Sequence, residues 1–185
     1  MNKATVDLAS FKHQLHLGLS AKIKYAFWLI LSNVFFLTNI PYPNFVKIAI
    51  LRMMGAKIGK GITIKPWVKI KLPWKLQIGD HVWLGESCWL DNISSISIGN
   101  HVCISQEALL LTGNHDYTKS TFDLMSRPIT IEDGVWIGAR ATVVGGVLIK
   151  SHSVIGLGTL ITKDTEAFQV YGIDSNLQIK ERVIK

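Results

Sequence analysis

IEDGVWIGARATVVGGVLIKSHSVIGLGTLI, residues 131–161, places an aliphatic side chain at every sixth position: Ile131, Ile137, Val143, Ile149, Ile155 and Ile161. Neither common period produces this. An amphipathic helix repeats at spacings of three and four, and a half-buried strand alternates. The same beat runs upstream through Ile58, Ile64 and Ile70, then Ile78, Leu84 and Leu90, then Ile98, Ile104 and Leu110. The steps 70→78 and 90→98 each hold two extra residues, and 110→131 is eighteen plus three. Fifteen positions therefore keep phase if every interruption is an outward loop. Glycine follows the aliphatic residue at Gly59, Gly79, Gly85, Gly99, Gly138 and Gly156, where it permits backbone geometry that other residues resist.

A six-residue period implies a triangular coil. One aliphatic residue per six points inward, three such sides make an eighteen-residue turn, and turns stack as parallel strands ~4.8 Å apart. The expected fold is all-β: a parallel β-helix of about five coils over residues 55–165, with a loop at 111–128, followed by a tail at 166–185. Residues 1–54 precede it, polar as far as 19 and then apolar and helix-like. AFWLILSNVFFLTNI, residues 26–40, carries no charge but is shorter than the roughly 20 residues that span a bilayer. After Pro41-Tyr42-Pro43, the residues Phe45, Ile48, Ala49, Arg52 and Met53 fall at helical spacings, with Gly55 as the C-cap. Two short helices fringed by Lys22, Lys24, Lys47 and Arg52 have two uses. They pack against the main domain or an oligomer interface, or they lie in the plane of a membrane.

The formal charge of +7 is unevenly spread. Residues 1–75 hold twelve Lys/Arg against one acid, Asp7, whereas residues 76–185 hold eight bases against twelve acids. A basic region of that size favours anionic partners such as phospholipid headgroups or diphosphates. Nucleic acid is set aside, because no stacking aromatics form a recognisable module. With only Cys88 and Cys103, a disulfide scaffold is excluded. MNKATVDLASFKHQ is too polar for a signal peptide. The chain is expected in the cytoplasm, peripheral at the inner face of the cytoplasmic membrane if residues 20–54 meet lipid.

The longest interruption begins LLLTGNHDYTKS, residues 109–120, and contains Asn114-His115-Asp116. By position alone, His115 is either a surface-loop histidine or the reason for the loop. Several segments narrow the choice: GAKIGKGITIKP, PWKLQIGDHVWLGE, IGNHVCISQ, TGNHDY, PITIEDGVWIGARATVVGGVLI and SVIGLGTLITKD. Together they make residues 45–185 resemble the hexapeptide-repeat acyltransferases. Within that family the likeness is to the galactoside/maltose O-acetyltransferase group, and most of all to its colanic-acid-type polysaccharide biosynthesis acetyltransferases. The resemblance implies a left-handed coil, a homotrimer with sites between neighbouring β-helices, acetyl-CoA as donor and a loop histidine as general base. His115 matches that histidine. Hydroxyl attack on a thioester needs a positioned base, and imidazole suits that role near neutral pH. Asp116 or a backbone carbonyl would orient the ring.

The same resemblance places Ser105, Gly138, Ala139 and Leu157 along the CoA arm, Trp136 beside the reaction centre, and Thr162-Lys163 near the nucleotide end. Lys180 would meet a CoA phosphate, although the family's Gly-Asn-Pro-Ala turn before the last basic stretch is absent from VYGIDSNLQIKERVIK. The acceptor side also departs. The group's acceptor asparagine and aspartate fall at Gly85 and Ile93, so simple galactosides are not the expected acceptor. Asp91 and Asn92 are the acceptor-binding candidates, or else they open a two-residue bulge. The expected acceptor is a nucleotide- or polyprenyl-diphosphate-linked sugar of surface polysaccharide biosynthesis.

Three other functions compete. Amino-sugar N-acetylation is the nearest, and the pH dependence of rate with each acceptor separates the two. A non-catalytic scaffold is the second. A metal-binding β-helix is the third, because His81, His101 and His152 share one outer column. Gly134 interrupts that column, and no metal is expected.

Overall fold

The computed structural model describes residues 5–11 and 18–173 and the backbone of 178–181. Five complete coils stack along one axis. Strands β1 (Lys57–Ile58), β2 (Thr63–Ile64) and β3 (Lys69–Ile70) make the first. Next come β4 (Leu76–Ile78), β5 (Trp83–Leu84) and β6 (Trp89–Asp91), then β7 (Ile96–Ile98), β8 (Cys103–Ile104) and β9 (Leu109–Leu111). A hairpin of β10 (Gly113–His115) and β11 (Leu124–Ser126) leaves the stack. The fourth coil follows as β12 (Ile129–Ile131), β13 (Trp136–Ile137) and β14 (Thr142–Val144). The fifth is β15 (Leu148–Ile149), β16 (Val154–Ile155) and β17 (Leu160–Ile161). The three parallel sheets are the faces of a prism: A (β1, β4, β7, β12, β15), B (β2, β5, β8, β13, β16) and C (β3, β6, β9, β14, β17). Register is exact to the beat read from the sequence, as in Ile58↔Ile78↔Ile98↔Ile131↔Ile149 down face A.

The coil continues past residue 165. Thr165 takes the inward position of face A, its N–H donating to the Leu148 carbonyl. β18 (Gln169–Tyr171) then adds to face B with Tyr171 pointing in, and β19 (Gln178–Glu181) pairs with it antiparallel.

Two details of the hexad differ from expectation. First, two positions in six point inward. Besides the aliphatic residue, the residue two places before it is buried, as at Ile62, Val82, Val102 and Val135 on face B and Cys88, Ala108 and Ala141 on face C. That residue lies one place before its short strand, and extended alternation carried one residue upstream sends both side chains to the same side. Second, the glycine after the aliphatic residue is needed for space, not for φ. A Cβ on Gly138 would stand 2.6 Å from the Ile155 carbonyl oxygen of the next coil. Positive φ instead occurs three places after the aliphatic residue, at Trp67, Ser87, Glu107 and Arg140 on the B–C edge and at His81, His101 and His152 on the A–B edge. Those two edges turn tightly. Every insertion, at 70→78, 90→98 and 110→131, falls on the C–A edge.

A stack of coils has open ends, and exposed strand edges invite unwanted pairing. Helices α1 (Leu19–Phe35) and α2 (Asn44–Met53) close the first end. The free carbonyl at the inward residue of each first-coil strand has a donor. Arg52 reaches Ile58 (Nη2 at 2.8 Å), Lys47 Nζ reaches Ile64 at 3.0 Å, and Trp28 Nε1 reaches Ile70 at 2.9 Å. Lys47 and Arg52, expected on a basic fringe, therefore turn towards the coil. Burial pulls the Lys47 ammonium pKa below its ordinary value. Gly55, at φ 95°, follows the end of α2. Among the described residues, no helix is long and apolar enough to cross a membrane.

Trp28→Phe removes one cap donor and leaves a buried carbonyl unpaired, so unfolding free energy should fall by about 1–3 kcal/mol. Ile104→Ala opens a cavity in mid-stack and should cost about 2–5 kcal/mol. Denaturant titration measures both. An unchanged Trp28→Phe would mean that another contact holds that end.

Candidate functional site

His115 ends β10, the first arm of the hairpin on the C–A edge. The hairpin stands on the bulge of the second coil. Thr112 Oγ donates to the Asp91 carbonyl at 2.7 Å and accepts from Ser94 N at 3.0 Å, and Gly113 is packed so closely on Ile93 that a Cβ would lie 2.6 Å from its Cδ1. The His115 ring lies 4.3 Å from the Phe122 ring and 7° from parallel to it, and Phe11 approaches at 5.5 Å. Asp7 N–H, donating to the Ser120 carbonyl at 2.9 Å, ties that amino-terminal segment to the loop.

The decisive contact is His115 Nδ1 to the Phe122 carbonyl, 2.9 Å. A carbonyl only accepts, so Nδ1 carries a proton, and in the neutral ring the lone pair is on Nε2. Of the two orienting groups expected, the backbone carbonyl has this place. Asp116 instead closes its own turn, accepting from Thr118 N and Oγ, and these bonds hold its carboxyl below the usual range.

A concavity of about 450 Å³ opens along the same edge, lined in part by Gly113, Asn114, Arg127 and Thr162. Thr162 and Lys163 follow β17 there, both exposed. The other CoA candidates sit on a different edge. Ser105, Gly138, Ala139 and Leu157 follow β8, β13 and β16 and form a line down the B–C edge. Trp136, on face B, donates Nε1 to Ser105 Oγ at 2.9 Å. Face C separates the two groups within one chain. Lys180 lies with its backbone opposite Val170 in β19, and its side chain falls outside the described residues.

Asp91 and Asn92 lie one coil below the hairpin and behave differently. Asp91 pairs with Lys71 Nζ at 2.8 Å and keeps a small exposed surface. Asn92 is fully buried. Its Oδ1 accepts from the N–H groups of Lys71 and Leu72, and its Nδ2 donates to the Leu72 carbonyl. It pins the bulge and presents nothing to an acceptor, so the bulge alternative holds for Asn92. The contacts of Lys71 with Asp91, and of Phe11 and Phe122 with His115, are not legible in the sequence, since they join segments with no shared pattern.

Neither thiol is set up as a nucleophile. Burial pushes Cys88 up to about 12 and also raises Cys103, which a hydrogen bond with Ser105 partly offsets. The histidine column is stacked: His81 on His101 at 5.1 Å and His152 on Phe168 at 4.7 Å. No cluster of three or more His, Cys, Asp or Glu suited to a metal occurs among the described residues.

A family model described as the hexapeptide repeat of succinyl-transferase matches residues 128–163. WcaF of Escherichia coli K12, named as a colanic acid biosynthesis acetyltransferase, is 39% identical over 134 residues, 72% of this chain and 74% of its own length. The chain belongs to the hexapeptide-repeat acetyltransferases. A further member, the galactoside O-acetyltransferase of E. coli, is 29% identical over 63% of this chain and 59% of its own. Two solved members share the fold at 21% identity. One is a Vibrio cholerae hexapeptide-repeat acetyltransferase complexed with acetyl coenzyme A (TM-score 0.78, covering 92% of this chain and 93% of that one). The other is a galactoside acetyltransferase in complex with coenzyme A (TM-score 0.79, 94% and 88%).

Asn92→Ala strips two N–H groups and a carbonyl of their partner and should lower unfolding free energy by at least about 2 kcal/mol. A residue that only touched the acceptor would leave stability within about 0.5 kcal/mol.

Proposed function

We propose that the chain transfers an acetyl group from acetyl-CoA to a sugar hydroxyl in surface polysaccharide biosynthesis, with His115 as general base, at sites shared between copies of a homotrimer. The observation that carries this reading is the Nδ1 contact to the Phe122 carbonyl, which leaves Nε2 basic and fixes the ring. Nε2 takes the proton of the acceptor hydroxyl as its oxygen bonds to the thioester carbonyl carbon. When the carbon–sulfur bond breaks, the same nitrogen returns that proton to the departing thiolate, so the histidine ends as it began. With both thiols raised, direct transfer is favoured over a cysteine-bound intermediate.

The names of the relatives support the donor and the acceptor class. The B–C edge fits an extended thiol arm. Along it Gly138 has no room for a side chain, Ala139 is small, and Leu157 offers an exposed apolar surface. Because His115 and that edge lie on opposite sides of face C, a neighbouring copy completes the site: the C–A edge of one chain faces the B–C edge of the next. Lys163 and Lys180 would then meet phosphates, and Asp91 with Lys71 would meet the acceptor. Its sugar is carried on a nucleotide or a polyprenyl diphosphate.

Free thiol release from acetyl-CoA, measured against free, nucleotide-linked and polyprenyl-linked sugars, tests the chemistry. His115→Ala should reduce acceptor-dependent turnover by about 10²–10⁴, and survival of activity would make His115 a loop residue only. Co-expression tests the shared site. Ala139→Asp and His115→Ala chains, each inactive alone, should regain roughly one working site in three within mixed trimers. No recovery would place the whole site in one chain.

A further inference from the structure

Helix α1 is apolar on two sides. Trp28 and Ser32 face the first coil and are buried. On the opposite side Leu19, Ile23, Phe27, Ile30 and Val34, spaced four, four, three and four residues apart, form one line that is 46–77% exposed. Helix α2 repeats the arrangement in miniature. It directs Lys47 and Ile50 into the coil and leaves Phe45 and Met53 outside, at 72% and 61% exposure. Both helices cap the same end, so both stripes belong to that end of the prism.

The charge at this end has one sign. Residues 18–79 contain ten Lys/Arg and no Asp or Glu. Lys47 and Arg52 are spent on the cap, and Lys71 is paired with Asp91. Lys22 flanks the α1 stripe, and Lys57, Lys60 and Lys69 stand exposed on the first coil directly beneath the helices. After Asp7, the next acid is Asp80, whose Oδ1 accepts from Lys60 N at 2.9 Å, and the remaining acids accompany the later coils. The molecule is thus polarised along its axis, with a basic, apolar end and a more acidic remainder.

We propose that this helix-capped end seats in the headgroup layer of an anionic phospholipid bilayer, with α1 lying in the plane of the membrane. An in-plane helix buries one apolar stripe in the interface while nearby lysines meet lipid phosphates. At 17 residues with Lys22 and Lys24 in its first half, α1 is built to lie on a bilayer rather than to cross it. An exposed apolar stripe alone suits a protein or a membrane; the lysines around it favour an anionic surface, and an anionic bilayer supplies both the charge and an apolar layer. This inference does not depend on the acyl group or the acceptor.

The test is co-sedimentation of the full-length protein with vesicles of phosphatidylcholine alone and with about 30% phosphatidylglycerol. Binding should favour the anionic vesicles at least about tenfold and weaken with added salt. The combined exposed substitutions Ile23→Asn, Phe27→Asn and Ile30→Asn should cut binding at least about tenfold with unchanged circular dichroism and solution molar mass. Lys57→Glu with Lys60→Glu should reduce anionic-vesicle binding while leaving the cap intact. Failure of the wild type to bind anionic vesicles overturns the proposal. So does equal binding by the triple variant, or a loss of solution oligomers in it, which would show that a second copy covers the stripe.

Discussion

Strands of two or three residues hold no structure alone; each exists because the coil above and the coil below donate and accept along it. The ladder between coils, and the aliphatic columns stacked inside it, therefore carry everything else. Ile64, Leu84, Ile104, Ile137 and Ile155 lie over one another on face B, buried and in register. A slip of one residue would turn every one of them outward. The close passage of successive coils explains the glycines, since Gly79, Gly85 and Gly138 have the next coil's backbone within 2.6–2.8 Å of where a Cβ would be.

That dependence on neighbours makes the ends the weak points, and the helices answer it. Lys47, Arg52 and Trp28 each supply a donor to one free strand edge of the first coil. Meeting that need with one face of each helix leaves the other face apolar, in a stretch, residues 18–79, that contains lysines but no acid. Structural necessity on one side and an exposed apolar stripe on the other are two sides of the same helices.

Chemistry settles where the stack can be broken without being lost. The A–B and B–C edges turn through a residue at positive φ and admit no insertion; the C–A edge takes all three. The hairpin bearing His115 therefore grows there, standing on Asp91, Ile93 and Ser94, with its imidazole oriented by the chain's own Phe122 carbonyl. The ladder's strictness sends the histidine-bearing loop to one edge and leaves the other two smooth.

Much of this was legible in the residues alone. The six-residue beat determined the coil, its three faces, the phase across each interruption and the histidine that stands outside the pattern, because a repeated burial requirement prints itself on every turn. The roles of single polar residues were decided only by the tertiary structure. Asn92 has the look of a ligand-binding residue and is a buried pin; Lys47 and Arg52 have the look of a basic fringe and are caps; Phe11 and Phe122, more than a hundred residues apart, meet around one imidazole. Burial of aliphatic side chains depends on a residue's place in the period, which a sequence records. A hydrogen bond depends on which partner arrives within 3 Å, and that is determined only when distant segments fold together.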